Sequence, residues 1–107
     1  MRRVANPDRE RIEAAVLSLA RGGHLVLSVD EDRYVQVWLR EDGLYQLEHR
    51  AGSPGEHYRT LTVSAEKVYT AFGGWSRGED GWDAPFTWQS IGAWFTAEGD
   101  QGAGTSV

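Results

Sequence analysis

Apolar residues recur along this chain with two different periods, and the periods divide it into elements. Ile12, Ala15, Val16 and Leu19 follow the i, i+3, i+4, i+7 spacing of one buried helical stripe. Asn6 can accept a bond from a free helix N–H, and Pro7 suits the first helical position. Asp8, Glu10 and Glu13 stand near the positive helix start and Arg21 near the negative end, where Gly22-Gly23 stop the pattern. The spacing predicts a helix over residues 7–21. From His24 the period becomes two. Residues 24–29 are apolar and β-rich, and Tyr34 to Arg40 sets Val35, Val37 and Leu39 on one face against Tyr34, Gln36 and Trp38 on the other. Leu44 to Arg50 alternates again, and His57 to Thr62 supplies a fourth strand. Asp30-Glu31-Asp32 and Glu41-Asp42-Gly43 read as hairpin turns, which favour local antiparallel pairing.

A second helix is predicted over residues 64–76, capped by the Ser64 hydroxyl and burying Val68, Ala71, Phe72 and Trp75. Gly73 and Gly74 weaken its end, at about 1 kcal/mol each relative to alanine. The acidic loop Glu79-Asp80-Gly81 leads into an aromatic segment with Trp82, Phe86, Trp88, Ile91, Trp94 and Phe95. Either a short third helix starts at Asp83-Ala84-Pro85 or residues 86–88 form a strand. From Ala97 the residues are small and polar, and 97–107 are expected to be a disordered tail. The expectation is one α+β domain over 6–96, an antiparallel meander of three or four strands packed with two helices and followed by the aromatic segment. Val35, Val37 and Leu39 are expected beneath the helices, with Ile12, Val16, Leu19, Val68 and Phe72 as partners.

Charge and composition narrow the function. The 107 residues carry a net charge of −5, so nonspecific binding to nucleic-acid phosphates has no electrostatic support. Ten of the eleven basic residues are arginine and only Lys67 is lysine, a bias that a GC-rich genome explains as easily as chemistry. No cysteine is present, which removes disulfides, thiolate nucleophiles and cysteine-based metal sites. The longest apolar stretch, Leu25-Val26-Leu27, is far too short to span a bilayer, and the basic N-terminus leads into charged residues. A soluble, cytoplasmic protein without membrane or nucleic-acid partners is expected.

Catalytic signals are weak. Gly74-Trp75-Ser76-Arg77-Gly78 matches the G-x-S-x-G nucleophile elbow, which needs a strand entering and a helix leaving the serine turn. Here the motif follows a helix, so a hydrolase using Ser76 is the outsider and a glycine-punctuated helix exit the plain reading. His49 and His57 flank one loop beside Glu48 and Glu56, yet two histidines on neighbouring strands fall short of the three or four ligands a metal needs. Asp30-Glu31-Asp32 lacks the sixth-position glycine of a calcium loop, Val35 standing there instead. Glu41-Asp42 lies on an exposed turn, and Gly52-Ser53-Pro54-Gly55 has no lysine or helix start for phosphate. No catalytic residue, metal site or cofactor is expected.

Five tryptophans in this length exceed what so small a core encloses, since each aromatic buries roughly 150–250 Å². They are lids on the sheet or anchors for a partner, Trp, Tyr and Arg being the residues that dominate binding hot spots. The sequence therefore offers Tyr34, Gln36, Trp38, Arg50 and Arg59 as a partner-binding surface on the meander face turned away from the helices. Trp82, Trp88 and Trp94 folding over that face is the competing arrangement.

The run Arg33-Tyr34-Val35-Gln36-Val37, then Leu44 with Glu48, then a capped helix ending near Gly74-Trp75 and a later Trp88, resembles small actinobacterial relatives of the YbjN and type III secretion-chaperone-like fold, the TY-Chap group. The likeness covers about residues 8–90 and implies a helix, a three-stranded meander and a second helix associated with protein binding. The layout ending Phe86-Thr87-Trp88-Gln89-Ser90-Ile91 is also similar to small immunity proteins that neutralise bacterial toxins. Both imply a non-catalytic binding module, chaperone-like or adaptor-like in the first case and an immunity protein in the second. The partner is expected to be another protein, and the chain a monomer or homodimer.

Overall fold

A computed structural model describes residues 8–96 together with the backbone of Arg2–Arg3, so the expected tail over 97–107 lies outside the described residues. The fold is α+β. In chain order the elements are β1 (Arg2–Arg3), α1 (Arg9–Leu17), β2 (His24–Asp30), β3 (Arg33–Leu39), β4 (Tyr45–Ala51), β5 (His57–Thr62), α2 (Ala65–Ser76), β6 (Gln89–Ser90) and α3 (Ala93–Thr96). The strands lie side by side in that same order. β2 to β5 make a four-stranded antiparallel meander, and β6 adds a fifth antiparallel strand after α2, so the sheet exceeds the three or four strands expected. β1 joins the other edge by pairing parallel with Leu25 and Val26.

Both hairpins form where the alternating segments put them. β2 and β3 join through Glu31–Asp32, where the register slips between Ser28 and Asp30. β3 and β4 join through residues 40–44, with Gly43 at a φ of 88° that suits glycine. Both long helices pack on one sheet face. There Val16, Leu25, Val35, Val37, Leu47, Val68 and Phe72 are fully enclosed and Ile12 nearly so. Leu19 lies at the rim of this core and Leu39 is half-buried, not enclosed as expected.

Ser64 caps α2, accepting the Lys67 N–H at 3.1 Å. α1 is shorter than the 7–21 predicted, at both ends. Asp8 is its cap, accepting the Arg11 N–H at 2.9 Å; Asn6 and Pro7, expected to open the helix, lie outside the described residues. It ends at Leu17, where the Leu19 N–H turns back to the Val16 carbonyl at 3.2 Å and the Ser18 hydroxyl donates to the Ala15 carbonyl at 3.1 Å. The two glycines serve the sheet and not the helix. The Gly22 N–H donates to the Leu39 carbonyl at 2.6 Å, and the Gly23 carbonyl accepts the Leu39 N–H at 3.0 Å.

After α2 the aromatic segment makes turns over residues 80–86, then β6 and the single turn α3. Neither a helix from Asp83 nor a strand over 86–88 forms. Gly74 lets this segment approach, since a Cβ there would meet the Trp82 Cβ at 2.9 Å. Trp82, Phe86 and Trp88 pack against the core on the helix side, whereas α3 crosses to the opposite face.

Candidate protein-binding face

The strand register lays out the face opposite the helices as three rows of cross-strand neighbours. His24, Trp38, Gln46 and Leu61 form the first row, and Val26, Gln36, Glu48, Arg59 and Gln89 the second. Ser28, Tyr34, Arg50 and His57 form the third. All five residues the sequence offers, Tyr34, Gln36, Trp38, Arg50 and Arg59, stand together here, each half-buried. Trp38 stacks on His24 with centroids 5.5 Å apart and planes within 9°. At the β5 side α3 lies over the face, Trp94 beneath the Arg59 guanidinium at 5.2 Å and Phe95 against Arg50 at 4.9 Å. These two rings remain open to solvent, at 63% and 47% exposure. Beside Tyr34 and Gln36 a groove of about 510 Å³ runs along β2, lined also by Val26, Val29 and Glu31.

A polar network ties the rows together, and its centre is Glu48, which the sequence did not offer for this face. Its side chain is only 15% exposed. The carboxylate accepts from Gln46 Nε2 at 2.6 Å, His57 Nε2 at 2.8 Å and Gln36 Nε2 at 3.2 Å. Burial pushes the Glu48 carboxyl up, but the bonds from His57, Gln46 and Gln36 outweigh it and hold the group below the usual carboxylate range. His57, 1% exposed, has both ring nitrogens engaged. Arg50 Nε lies 3.1 Å from Nδ1 and can only donate, so Nδ1 faces a donor while Nε2 faces the Glu48 carboxylate. The Arg50 guanidinium continues to Asp32 at 3.1 Å. Burial raises the Tyr34 phenol above its usual range; Arg50 beside it works against that rise and Glu48 adds to it. The face is thus a bonded polar sheet surface flanked by aromatic rings at both sides.

The helix side carries the other histidine. His49 is enclosed by Tyr58, Trp82 and Trp88 with ring centroids 4.6–5.0 Å away, and burial lowers its pKa, opposed by Asp83. Arg50 pairs with His57 and His49 with Tyr58 across β4 and β5, so the two histidines lie on opposite faces and do not converge. Among the described residues no group of three or more His, Asp or Glu side chains is arranged to hold a metal. Ser76 of the G-x-S-x-G match sits in the last turn of α2, its hydroxyl donating to the Gly73 carbonyl at 2.8 Å. Among the described residues no helix is long and apolar enough to cross a membrane.

The sequence did not offer Glu48, His57 or Phe95 for this face; Trp94 it weighed as a cover together with Trp82 and Trp88, and of those three only Trp94 lies there. Parity in β4 and β5 carried the signal for the first two, since Glu48 has the same parity as Arg50, and His57 as Arg59. No local pattern announced that α3 would return to the open side. The chain matches no protein-family model, and no curated protein or solved structure matches it.

Proposed function

We propose that the open sheet face is a protein-binding surface and that the chain works without catalysis, as a chaperone-like or adaptor-like module. One observation carries this reading. Trp38 and Tyr34 stand half-exposed on the face the long helices leave uncovered, where Trp94, Phe95 and the 44%-exposed Leu61 add further apolar surface. Large aromatics grouped on an open sheet beside arginine suit a partner's side chains, stacking and forking hydrogen bonds at once. The non-catalytic part is supported by how the reactive groups are spent. Ser76 is bonded within its helix, His57 has no free nitrogen, His49 is enclosed by aromatic rings and His24 stacks on Trp38. An immunity protein is the second reading, favoured by the net charge of −5, which suits a basic toxin through charge complementarity.

The test is photo-crosslinking in the native host with a photoreactive amino acid placed at position 36 or, as comparison, at position 10 on the exposed side of α1. The reading expects one discrete partner protein captured from position 36 and not from position 10. Capture from position 10 alone would reject this face.

A further inference from the structure

The second exposed feature is the outer edge of β5. The His57 carbonyl accepts the Ile91 N–H at 2.8 Å and Arg59 pairs with Gln89, so these residues turn their backbone groups toward β6. Pairing ends there. Trp88 leaves the edge for the helix side, where its ring meets His49 at 4.6 Å. By the alternation of an antiparallel ladder Leu61 directs its N–H and C=O the same way as Arg59, and among the described residues no backbone group answers them. In place of a strand there is a groove of about 370 Å³ whose lining includes Arg59, Leu61, Lys67, Phe86 and Thr87.

Its charge runs against that of the protein. Two cations line it and no carboxylate does, on a chain of net charge −5. Lys67 makes no ion pair among the described residues, and Arg59 bonds only the neutral Gln89 amide, at 2.9 Å. Glu66, beside Lys67 on α2, lines an adjoining hollow of about 240 Å³. The two cations stand on opposite sides of the sheet, Arg59 on the open face with Trp94 and Lys67 on a helix of the other face. The β2 edge offers no equivalent, being paired by β1 at its start and bulged between Ser28 and Asp30.

We infer that the β5 edge receives an extended acidic peptide from a partner protein, which adds a strand at Leu61 and sets carboxylates against Arg59 on one face and Lys67 on the other. An added strand turns successive side chains to opposite faces, so acids of opposite parity reach the two cations together. The open N–H and C=O of Leu61 select a peptide backbone, which alone completes the ladder. This inference rests on the protein-binding reading and deepens it by naming a partner chemistry at the β5 margin of that face, two strands away from Trp38.

The experiment records amide NMR spectra of the full chain during titration with a capped eight-residue peptide of glutamates and valines that places glutamate at both parities. A peptide with lysine replacing glutamate is the comparison. The inference expects the glutamate peptide to shift the Leu61 and Thr87 amides, the lysine peptide to leave them in place, and Lys67→Glu to weaken binding at least tenfold. Glu10→Ala, on the exposed side of α1, is expected to leave this binding unchanged. No shift at millimolar glutamate peptide, equal binding of the lysine peptide, or unweakened binding to Lys67→Glu and Lys67→Gln would each overturn it. Binding lost in Trp38→Ala but kept in Lys67→Glu would move the peptide to the open face, rejecting the edge and supporting the face.

Discussion

Replacing Glu48 by glutamine tests the network that holds the open face in shape. The amide matches the carboxylate in size, but one of its two ends becomes a donor. Glu48 accepts three bonds, from Gln46, His57 and Gln36. With the new oxygen kept toward His57 and Gln36, the new NH2 faces the Gln46 NH2, which must turn over, away from its Arg40 contact, or lose its bond. Bonds to an ionised group contribute roughly 1.5–3 kcal/mol each. Glutamine keeps part of that set, so the loss falls below the roughly 3–5 kcal/mol of a broken buried ion pair. We expect Glu48→Gln to destabilise the protein by about 2–3 kcal/mol at pH 7. With a urea slope of roughly 1–3 kcal/mol per molar, the unfolding midpoint falls by about 1 M or more. The sign of the pH dependence gives a second readout. The Glu48 carboxyl is held below its ordinary value of 4.5, so its stabilisation is complete above that pH and is lost as pH falls through the folded value. Wild type therefore loses stability more steeply than Glu48→Gln below about pH 4.5. Equal midpoints at pH 7, or the same acid slope in both proteins, would refute this account of the network.

Further outcomes follow from the same geometry. Phe72→Ala empties the centre of the core and is expected to cost about 3–5 kcal/mol, measured by chemical denaturation; a midpoint equal to wild type would show that Phe72 is not core. Gly92→Ala places a Cβ inside the Gly55 carbonyl, so α3 must shift, and the quenching and emission of Trp94 should change while the α1–α2 core persists; an unchanged spectrum would show α3 docked by other contacts. Burial holds His49 below its ordinary value of 6.5, so folding is favoured fully above that pH and less as pH falls through the lowered value. His49→Phe, which keeps an aromatic ring against Tyr58 and Trp88, should lessen the loss of stability between pH 7 and 5, and an unaltered slope would contradict that.

The meander was legible because its signals are local. Two hairpin turns separate segments of clean alternation, and Val35 and Val37 then had only one side to face. Ser64 with Val68, Ala71 and Phe72 marked α2 in the same way. The end of α1 was not legible, since Gly22 and Gly23 look like a helix stop and are in fact bonded to Leu39, a partner sixteen or more positions away. The short strands β1 and β6 have too few residues to show a period, and their pairing is decided by tertiary position. On the candidate face, Tyr34, Gln36, Trp38, Arg50 and Arg59 fell together because parity assigns a whole strand at once. The central role of Glu48 was not legible because a lone charged residue on a strand reads as solvated until its three donors are in place. The return of Trp94 and Phe95 depends on Gly92 packing against Gly55 and on the Ile91 bond to His57, contacts that no local pattern encodes.

The most direct measurement is the affinity of the crosslinked partner for wild type, for Trp38→Ala and for Glu10→Ala on α1, taken by calorimetry at one salt concentration. The face reading predicts that Trp38→Ala weakens binding by about 2 kcal/mol, roughly thirtyfold in Kd, while Glu10→Ala binds as wild type and both variants keep the wild-type unfolding midpoint. An unchanged Kd for Trp38→Ala, or a loss confined to Glu10→Ala, would contradict it.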